Sequence, residues 1–164
     1  MGTRNATVRN YRAVPDWTTT YLEGRLMVFE ATGAPEVFLL ARVLFGGVLA
    51  FTGLNHFTDT DTMAGYAEYK GLPAPRASVL LSGVLLIFGG LSLIMGIFPT
   101  IGASMLAVFL IASAVVMHDF WAVEDEDAQT EMTQFLKNIY GAGGALVFVA
   151  LAAVRWPYAL NIGL

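Results

Sequence analysis

The chain has no cysteine among its 164 residues, and this absence excludes several classes of protein. It rules out a disulfide framework, a thiolate nucleophile, and zinc or iron–sulfur centres bound through cysteine. Charged residues are also scarce: Asp, Glu, Lys and Arg make up 13% of the chain, against about 25% in soluble proteins. Phosphate-binding loops, HExxH and serine-hydrolase patterns are missing too, which excludes hydrolase and kinase chemistry of those types.

Apolar residues are abundant instead, at 56% of the chain, and the mean hydropathy is +0.62. They gather in four runs, at residues 37–54, 77–98, 101–117 and 135–154. Each run approaches the roughly 20 residues needed to cross about 30 Å of hydrocarbon. The sequence therefore predicts an all-α membrane protein, a bundle of four transmembrane helices. Only Pro99-Thr100 separates the second and third runs, which predicts a tight antiparallel hairpin.

Charges at the ends of the runs predict the orientation. The first 30 residues hold four of the seven arginines, whereas residues 119–131 hold six carboxylates and no cation. By the positive-inside rule, both termini then lie in the cytoplasm and the protein lies in the cell membrane. This asymmetry indicates membrane orientation and does not indicate a nucleic-acid partner. Few lysines together with acidic loops are also typical of salt-loving archaea.

Three regions follow from this pattern: a polar cytoplasmic arm at residues 1–34, the membrane domain at 35–157, and a short tail at 158–164. Within the arm, the apolar residues of WTTTYLEGRLMVFE recur at helical spacing. That spacing fits an amphipathic helix in the headgroup region, and a disordered or partner-bound arm is the alternative.

Two short segments of the predicted outer loops have helix signals. In the first loop, Asp59 or Thr60 can cap a short helix that ends at Gly71, which predicts an interfacial helix carrying Met63, Tyr66 and Tyr69 on one face. In the second loop, EDED at 124–127 lacks the ligand spacing of a calcium site, so we expect a solvated turn and no metal. Asp125 or Asp127 is expected to cap the last helix, and Glu131 to favour its dipole.

Polar residues recur at both predicted outer helix ends. The first run ends in GLNHF, with His56, and the third ends in VMHDFW, with His118. Arg76 and Lys137 enter the next runs 20 and 19 residues after these two histidines. If the hairpins pack as two halves of one bundle, these side chains surround one mouth. The candidate ligand residues are His56, Arg76, His118, Asp119, Trp121, Lys137 and Asn138.

Such a mouth suits a quinone, whose head needs hydrogen-bond partners and groups that exchange protons. The alternative is that these residues only satisfy helix ends and lipid headgroups. Two facing histidines can ligate haem, but both lie at helix ends and no second pair exists, so haem is not expected. Arg42 lies within the first run, where it either snorkels to cytoplasmic phosphates or is buried against a ligand or a partner such as Glu36.

Several stretches taken together resemble the DoxX family of four-span membrane proteins: GLNHF, MAGYAEYKGLPAP, LSGVLLIFGGLSLIMGIFP, HDFW and QFLKN. The resemblance covers roughly residues 37–155. It implies a polytopic membrane protein whose relatives include subunits of a thiosulfate:quinone oxidoreductase and proteins of membrane-associated oxidative-stress complexes. It also implies a set of site residues: His56, Lys70, Pro73, His118, Trp121, Lys137 and Asn138.

The leading expectation is therefore an integral membrane subunit that contributes a quinone-facing or partner-docking surface to a membrane redox complex. Without cysteine, the chain would oxidise a sulfur substrate only together with a membrane or peripheral redox partner. The alternatives are a non-catalytic membrane scaffold and, less favoured, a small-solute transporter, for which copies of the chain would build a pore between them.

Overall fold

The computed structural model describes residues 28–163, apart from the side chains of Asp125 and Glu126. Five α-helices form in this part of the chain: α1 (Ala34–Thr58), α2 (Thr60–Tyr69), α3 (Pro75–Met95), α4 (Pro99–Met117) and α5 (Asp125–Leu151). Helices α1, α3, α4 and α5 are each long and apolar enough to cross a membrane. The prediction of an all-α, four-span bundle is confirmed. The amphipathic segment predicted in the arm lies outside the described residues.

The bundle is built from two helix pairs. Helix α1 packs along α3, α5 packs along α4, and α3 joins the pairs by packing on α4. Helix α2 lies against α3, on the side of the bundle that we call the α2 side; the opposite side, where the chain ends, is the C-terminal side. The predicted hairpin between α3 and α4 is present. Its backbone turns through positive φ at Gly96 and Phe98, and Pro99 starts the next helix, where a missing N–H costs nothing.

Glycines bring α1 and α3 into backbone contact. A Cβ atom built on Gly46 would lie 2.5 Å from the carbonyl oxygen of Gly90, and one built on Gly53 would lie 2.8 Å from that of Gly83. In lipid, apolarity alone does not drive helices together, so close packing of this kind is what holds the pair.

Two predicted helix caps differ from the structure. Asp59 does occupy the N-cap position of α2, but its side chain makes no capping hydrogen bond. At α5 the N-cap position belongs to Glu124, so the prediction of a cap by Asp125 or Asp127 is wrong. The helix begins one residue earlier than a cap at Asp125 implies, and three residues earlier than a cap at Asp127 implies, because Glu124 is the last residue with extended backbone.

The end of the chain folds back across the C-terminal side. We call residues 156–163 the C-terminal strap. Backbone hydrogen bonds of 2.7–3.1 Å join the strap to the α3–α4 hairpin, from Leu160 to Met95 and between Ile162 and both Gly96 and Phe98. Trp156 at its start is only 2% exposed and packs edge-on against Phe38.

Arg42 is the most deeply buried charge of the bundle, with no exposed surface. Its Nη2 donates to the carbonyl oxygen of Tyr158 at 2.8 Å, and its guanidinium lies over the rings of Phe38 and Trp156 at 5.4 and 5.5 Å. The Nε and Nη1 atoms have no hydrogen-bond partner among the described residues. Of the two alternatives for Arg42, the structure therefore shows burial and not snorkelling to phosphates. Glu36 accepts a hydrogen bond from the Tyr158 hydroxyl at 2.7 Å and is not the partner of Arg42.

Candidate functional site

A cavity of about 1240 Å³ lies between the two helix pairs. Its apolar wall comes from the middle of the spans: Ala41, Leu44, Phe45, Val48, Leu49, Leu86, Phe109 and Phe148. Its polar lining lies near the α2 side: Thr52, His56, Tyr66, Ser78, Ser82, Ser113, His118, Lys137 and Asn138. The space is larger than the roughly 300–1,000 Å³ of ordinary ligand pockets. It offers one polar end and a long apolar body.

The cavity opens sideways between α1 and α5. Leu44 and Val48 of α1 and Tyr140 of α5 line it, yet they are 59%, 63% and 70% exposed. Toward the C-terminal side the two helices meet through the rings of Phe45 and Phe148, whose centroids are 5.3 Å apart. Since exposed residues of a membrane span face lipid, the opening leads into the bilayer.

His118, Glu131 and Tyr66 form a hydrogen-bonded chain at the polar end. His118 ends α4, and its Nδ1 lies 2.9 Å from Oε2 of Glu131 in α5. Oε1 of Glu131 accepts from the Tyr66 hydroxyl at 2.7 Å, and this hydroxyl also lies 2.9 Å from the Met117 carbonyl oxygen. Burial, together with the hydrogen bond to Glu131 and its charge, raises the pKa of Tyr66 to about 12. Tyr66 is therefore a neutral donor at all ordinary pH values.

Lys70 and Asp119 form an ion pair beside this chain. The Lys70 side chain is only 6% exposed, and its ammonium lies 5.5 and 5.8 Å from the ring centroids of Tyr66 and Tyr69. Burial acts to lower the pKa of Lys70, but the hydrogen bond to Asp119 and nearby negative charge outweigh burial and raise it. The same hydrogen bond from Lys70 lowers the pKa of Asp119. The pair fastens α2 to the start of the α4–α5 loop, over the polar end of the cavity.

His56 lies on the other wall, near the end of α1. Its Nδ1 is 3.0 Å from the carbonyl oxygen of Thr52, one helical turn earlier. Its own carbonyl oxygen accepts from the Thr60 hydroxyl at 2.6 Å, which ties the end of α1 to the start of α2. His56 and His118 thus reach one cavity from opposite helix pairs.

Asn138 and Lys137 enter the cavity from α5. Asn138 is 8% exposed, and its Nδ2 donates to the Ser113 hydroxyl oxygen at 3.3 Å. Lys137 is exposed and its ammonium contacts the Gln134 side chain. Four of the seven predicted ligand residues therefore line the cavity together: His56, His118, Lys137 and Asn138.

The other three candidates lie elsewhere. Arg76 pairs at 2.5 Å with Asp61, and both side chains are mostly exposed outside the cavity. Asp119 forms an ion pair with Lys70, and the carboxylate that is hydrogen-bonded to His118 is that of Glu131. Trp121 is 58% exposed and packs edge-on against Phe120 and Phe135, in an aromatic cluster outside the cavity.

Sequence reasoning missed Glu131, Tyr66 and Ser113 as site residues. The sequence predicts for Glu131 only a role at the helix dipole. Glu131 nevertheless comes directly before Met132, where apolar residues begin to recur at helical spacing along α5, and this position predicts partial burial. Tyr66 was assigned to an interfacial face of α2. No local signal marks Ser113, because a serine inside an apolar run is common in packed membrane helices.

Four membrane-crossing helices around an internal cavity with one polar end define a polytopic helical membrane protein. The sequence profile of the DoxX family matches residues 37–119, about half of the chain. The chain belongs to the DoxX family, as its motifs predicted.

The chain is also similar to the inner membrane protein YphA of Escherichia coli (strain K12). The two are 23% identical over 128 residues, which cover 78% of this chain and 89% of that protein. A comparison with solved structures found no match.

Proposed function

We propose that this DoxX-family protein binds an isoprenoid quinone or its quinol in the cavity and presents it to a partner in a membrane redox complex. The supporting observation is the shape and polarity of the cavity: a polar end at the α2 side, an apolar body, and an opening to lipid. A quinone has the matching form, a head with two oxygens and a long apolar tail that partitions into the bilayer.

Donors on the α4–α5 wall suit the oxygens of such a head. Asn138 uses one of its amide N–H groups on the Ser113 oxygen, so the second N–H and the Ser113 hydroxyl hydrogen are left for a ligand. Lys137 adds a charged donor at the same wall. Holding an oxygen through several donors fixes the orientation of the head while the tail stays in the apolar part of the cavity.

The His118–Glu131 pair suits proton exchange with that head. A histidine held by a carboxylate at Nδ1 presents its other nitrogen to a ligand, and an imidazole nitrogen can accept a proton from a ligand or donate one to it. Because the chain has no cysteine for an iron–sulfur centre, we place the electron acceptor or donor on the partner protein. The chain would then contribute the quinone site and its proton exchange.

The test is to purify the full-length protein in mild, lipid-preserving conditions and to quantify the quinone extracted from it. Ala112→Phe should lower the bound amount, because Ala112 lines the cavity and a phenyl ring would fill part of it. The matched control is Ala150→Phe, on the exposed surface of α5 outside the cavity, which should retain quinone. Wild-type protein that carries no quinone and takes up none added to the bilayer would refute the proposal.

A membrane scaffold is the second candidate, favoured by the exposed Trp121, which packs against the partly buried rings of Phe120 and Phe135. Exposed aromatic groups of this kind commonly anchor interfaces. This function predicts that Trp121→Ala releases a protein that co-purifies with the wild type, whereas Ala112→Phe does not. If Ala112→Phe also released that protein, binding of the partner would instead depend on the cavity.

A further inference from the structure

The hydrogen bond of His56 fixes which of its ring nitrogens is available to a ligand. The Nδ1 atom lies 3.0 Å from the Thr52 carbonyl oxygen, and a carbonyl oxygen can only accept. Nδ1 therefore carries the hydrogen. In the neutral ring, Nε2 is then an acceptor with a free lone pair.

The same argument applies to His118. Its Nδ1 lies 2.9 Å from Oε2 of Glu131, and the Tyr66 hydroxyl donates to the other oxygen of that carboxylate. An ionised carboxylate only accepts, so Nδ1 of His118 is the donor. The neutral ring again presents Nε2 as an acceptor. The cavity thus has two imidazole acceptors near one end, contributed by opposite helix pairs.

These two acceptors distinguish the two redox forms of a quinone-type ligand. The oxidised head has two carbonyl oxygens and no donor, whereas the reduced head has two hydroxyl groups, one at each end of the ring. Resting on the function proposed above, we infer that the cavity selects the reduced form, a quinol, with His56 and His118 accepting hydrogen bonds from its hydroxyl groups.

The donors of the cavity do not oppose this preference. Asn138, Lys137 and the Ser113 hydroxyl can donate to a carbonyl oxygen, but a quinol hydroxyl oxygen accepts hydrogen bonds as well. Donors in the cavity therefore serve both forms, whereas neutral imidazole acceptors serve only the quinol. A quinone in the same position has no hydrogen to donate to either Nε2 atom, so it lacks the two hydrogen bonds that the quinol makes there.

The preference depends on neutral imidazole rings, because a protonated ring donates through both nitrogens. The ionisable groups around His118 are Glu131 and Tyr66 on one side, the Lys70–Asp119 pair behind them, and Lys137 at the cavity wall. Around His56 the described contacts are to backbone carbonyl and hydroxyl groups of Thr52 and Thr60. Acid strong enough to protonate both rings should remove the preference for the quinol.

The experiment compares the affinities of decylubiquinone and decylubiquinol for the full-length protein in lipid nanodiscs, anaerobically, by calorimetry. At about pH 8, where imidazole is generally neutral, the quinol should bind about tenfold more tightly, the effect expected of two added hydrogen bonds. That ratio converts into an upward shift of about 30 mV in the midpoint potential of the bound pair.

Substitutions test whether His56 and His118 cause the preference for the quinol. His56→Phe and His118→Phe should each weaken quinol binding about threefold or more while leaving quinone binding within about twofold, since each removes one acceptor. Arg76→Ala is the control, because Arg76 lies outside the cavity. If His118→Phe fails to fold, His56→Phe and the two wild-type affinities still decide the question.

The outcomes separate the two proposals. Quinone binding as tightly as quinol to the wild type at about pH 8 overturns the selectivity and leaves the quinone site standing. Failure of both forms to bind overturns the site and the selectivity together.

Discussion

Replacing Gly46 with alanine should destabilise the bundle by separating α1 from α3. The added Cβ would lie 2.5 Å from the Gly90 carbonyl oxygen and 3.0 Å from the Ile94 side chain. The first contact is with backbone, which no rotamer change can relieve, so the helices must move apart. Overpacking of this kind costs about 1–3 kcal/mol. We expect the loss of stability of Gly46→Ala to lie in the upper part of that range, because a whole helix has to shift.

The matched control is Gly47→Ala, one position along the same helix, where an added Cβ meets nothing within 4 Å. Alanine is favoured over glycine in a helix by up to about 1 kcal/mol, and this gain applies equally at both positions. The difference in stability between the two variants therefore isolates the clash between α1 and α3.

The assay is unfolding by increasing mole fractions of sodium dodecyl sulfate in mixed micelles, followed by far-UV circular dichroism. Gly46→Ala should unfold at a clearly lower mole fraction than the wild type, and Gly47→Ala at the wild-type value or above it. Equal midpoints for the two variants would refute the close approach of α1 and α3, and with it the geometry of the cavity wall.

Three further outcomes follow from the structure. Arg42→Ala removes the guanidinium that holds the Tyr158 carbonyl, so chymotrypsin should cut the C-terminal strap about tenfold faster, equivalent to about 1.4 kcal/mol of docking energy, while Arg155→Ala leaves the rate unchanged. The Tyr66 phenol, whose pKa is raised to about 12, stabilises the fold fully below about pH 10 and loses this contribution as the pH rises through 12. A 295 nm titration should show a tyrosine ionising at about pH 12, and this phase should be absent in Tyr66→Phe. Because Lys70 lowers the pKa of Asp119, their pairing stabilises the fold above about pH 4 and is lost below it. The stability gap between wild type and Lys70→Gln should narrow in that acid range, and a constant gap would contradict the pairing.

The sequence carries enough information for the four spans and for part of the site. Long apolar runs have one stable form in lipid, the helix, so their number and order follow from hydropathy. The two-residue link at Pro99 then forces the hairpin. In a chain that crosses the membrane back and forth, the end of one span and the start of the next lie on the same side. The order of the spans alone therefore places His56, His118 and Lys137 on one side, where they line the same cavity.

Side-chain pairing could not be predicted in the same way. Arg42 meets a carbonyl 116 residues further along the chain, and a backbone acceptor in an irregular segment leaves no signature in residue types. Asp119 is adjacent to His118 in sequence but pairs with Lys70, 49 residues away. Adjacent residues at a helix end point in different directions, so proximity along the chain was a poor guide to contact there.

Because the cavity opens sideways between α1 and α5, the concentration that governs ligand binding is the ligand's concentration in the bilayer. A molecule that enters from the bilayer arrives by two-dimensional diffusion among lipids and never has to dissolve in water. Occupancy then follows its mole fraction in the membrane, so a modest intrinsic affinity fills the cavity wherever the ligand is a common component of the lipid. Dilution into detergent micelles lowers that mole fraction and empties the same cavity, with no change in the protein.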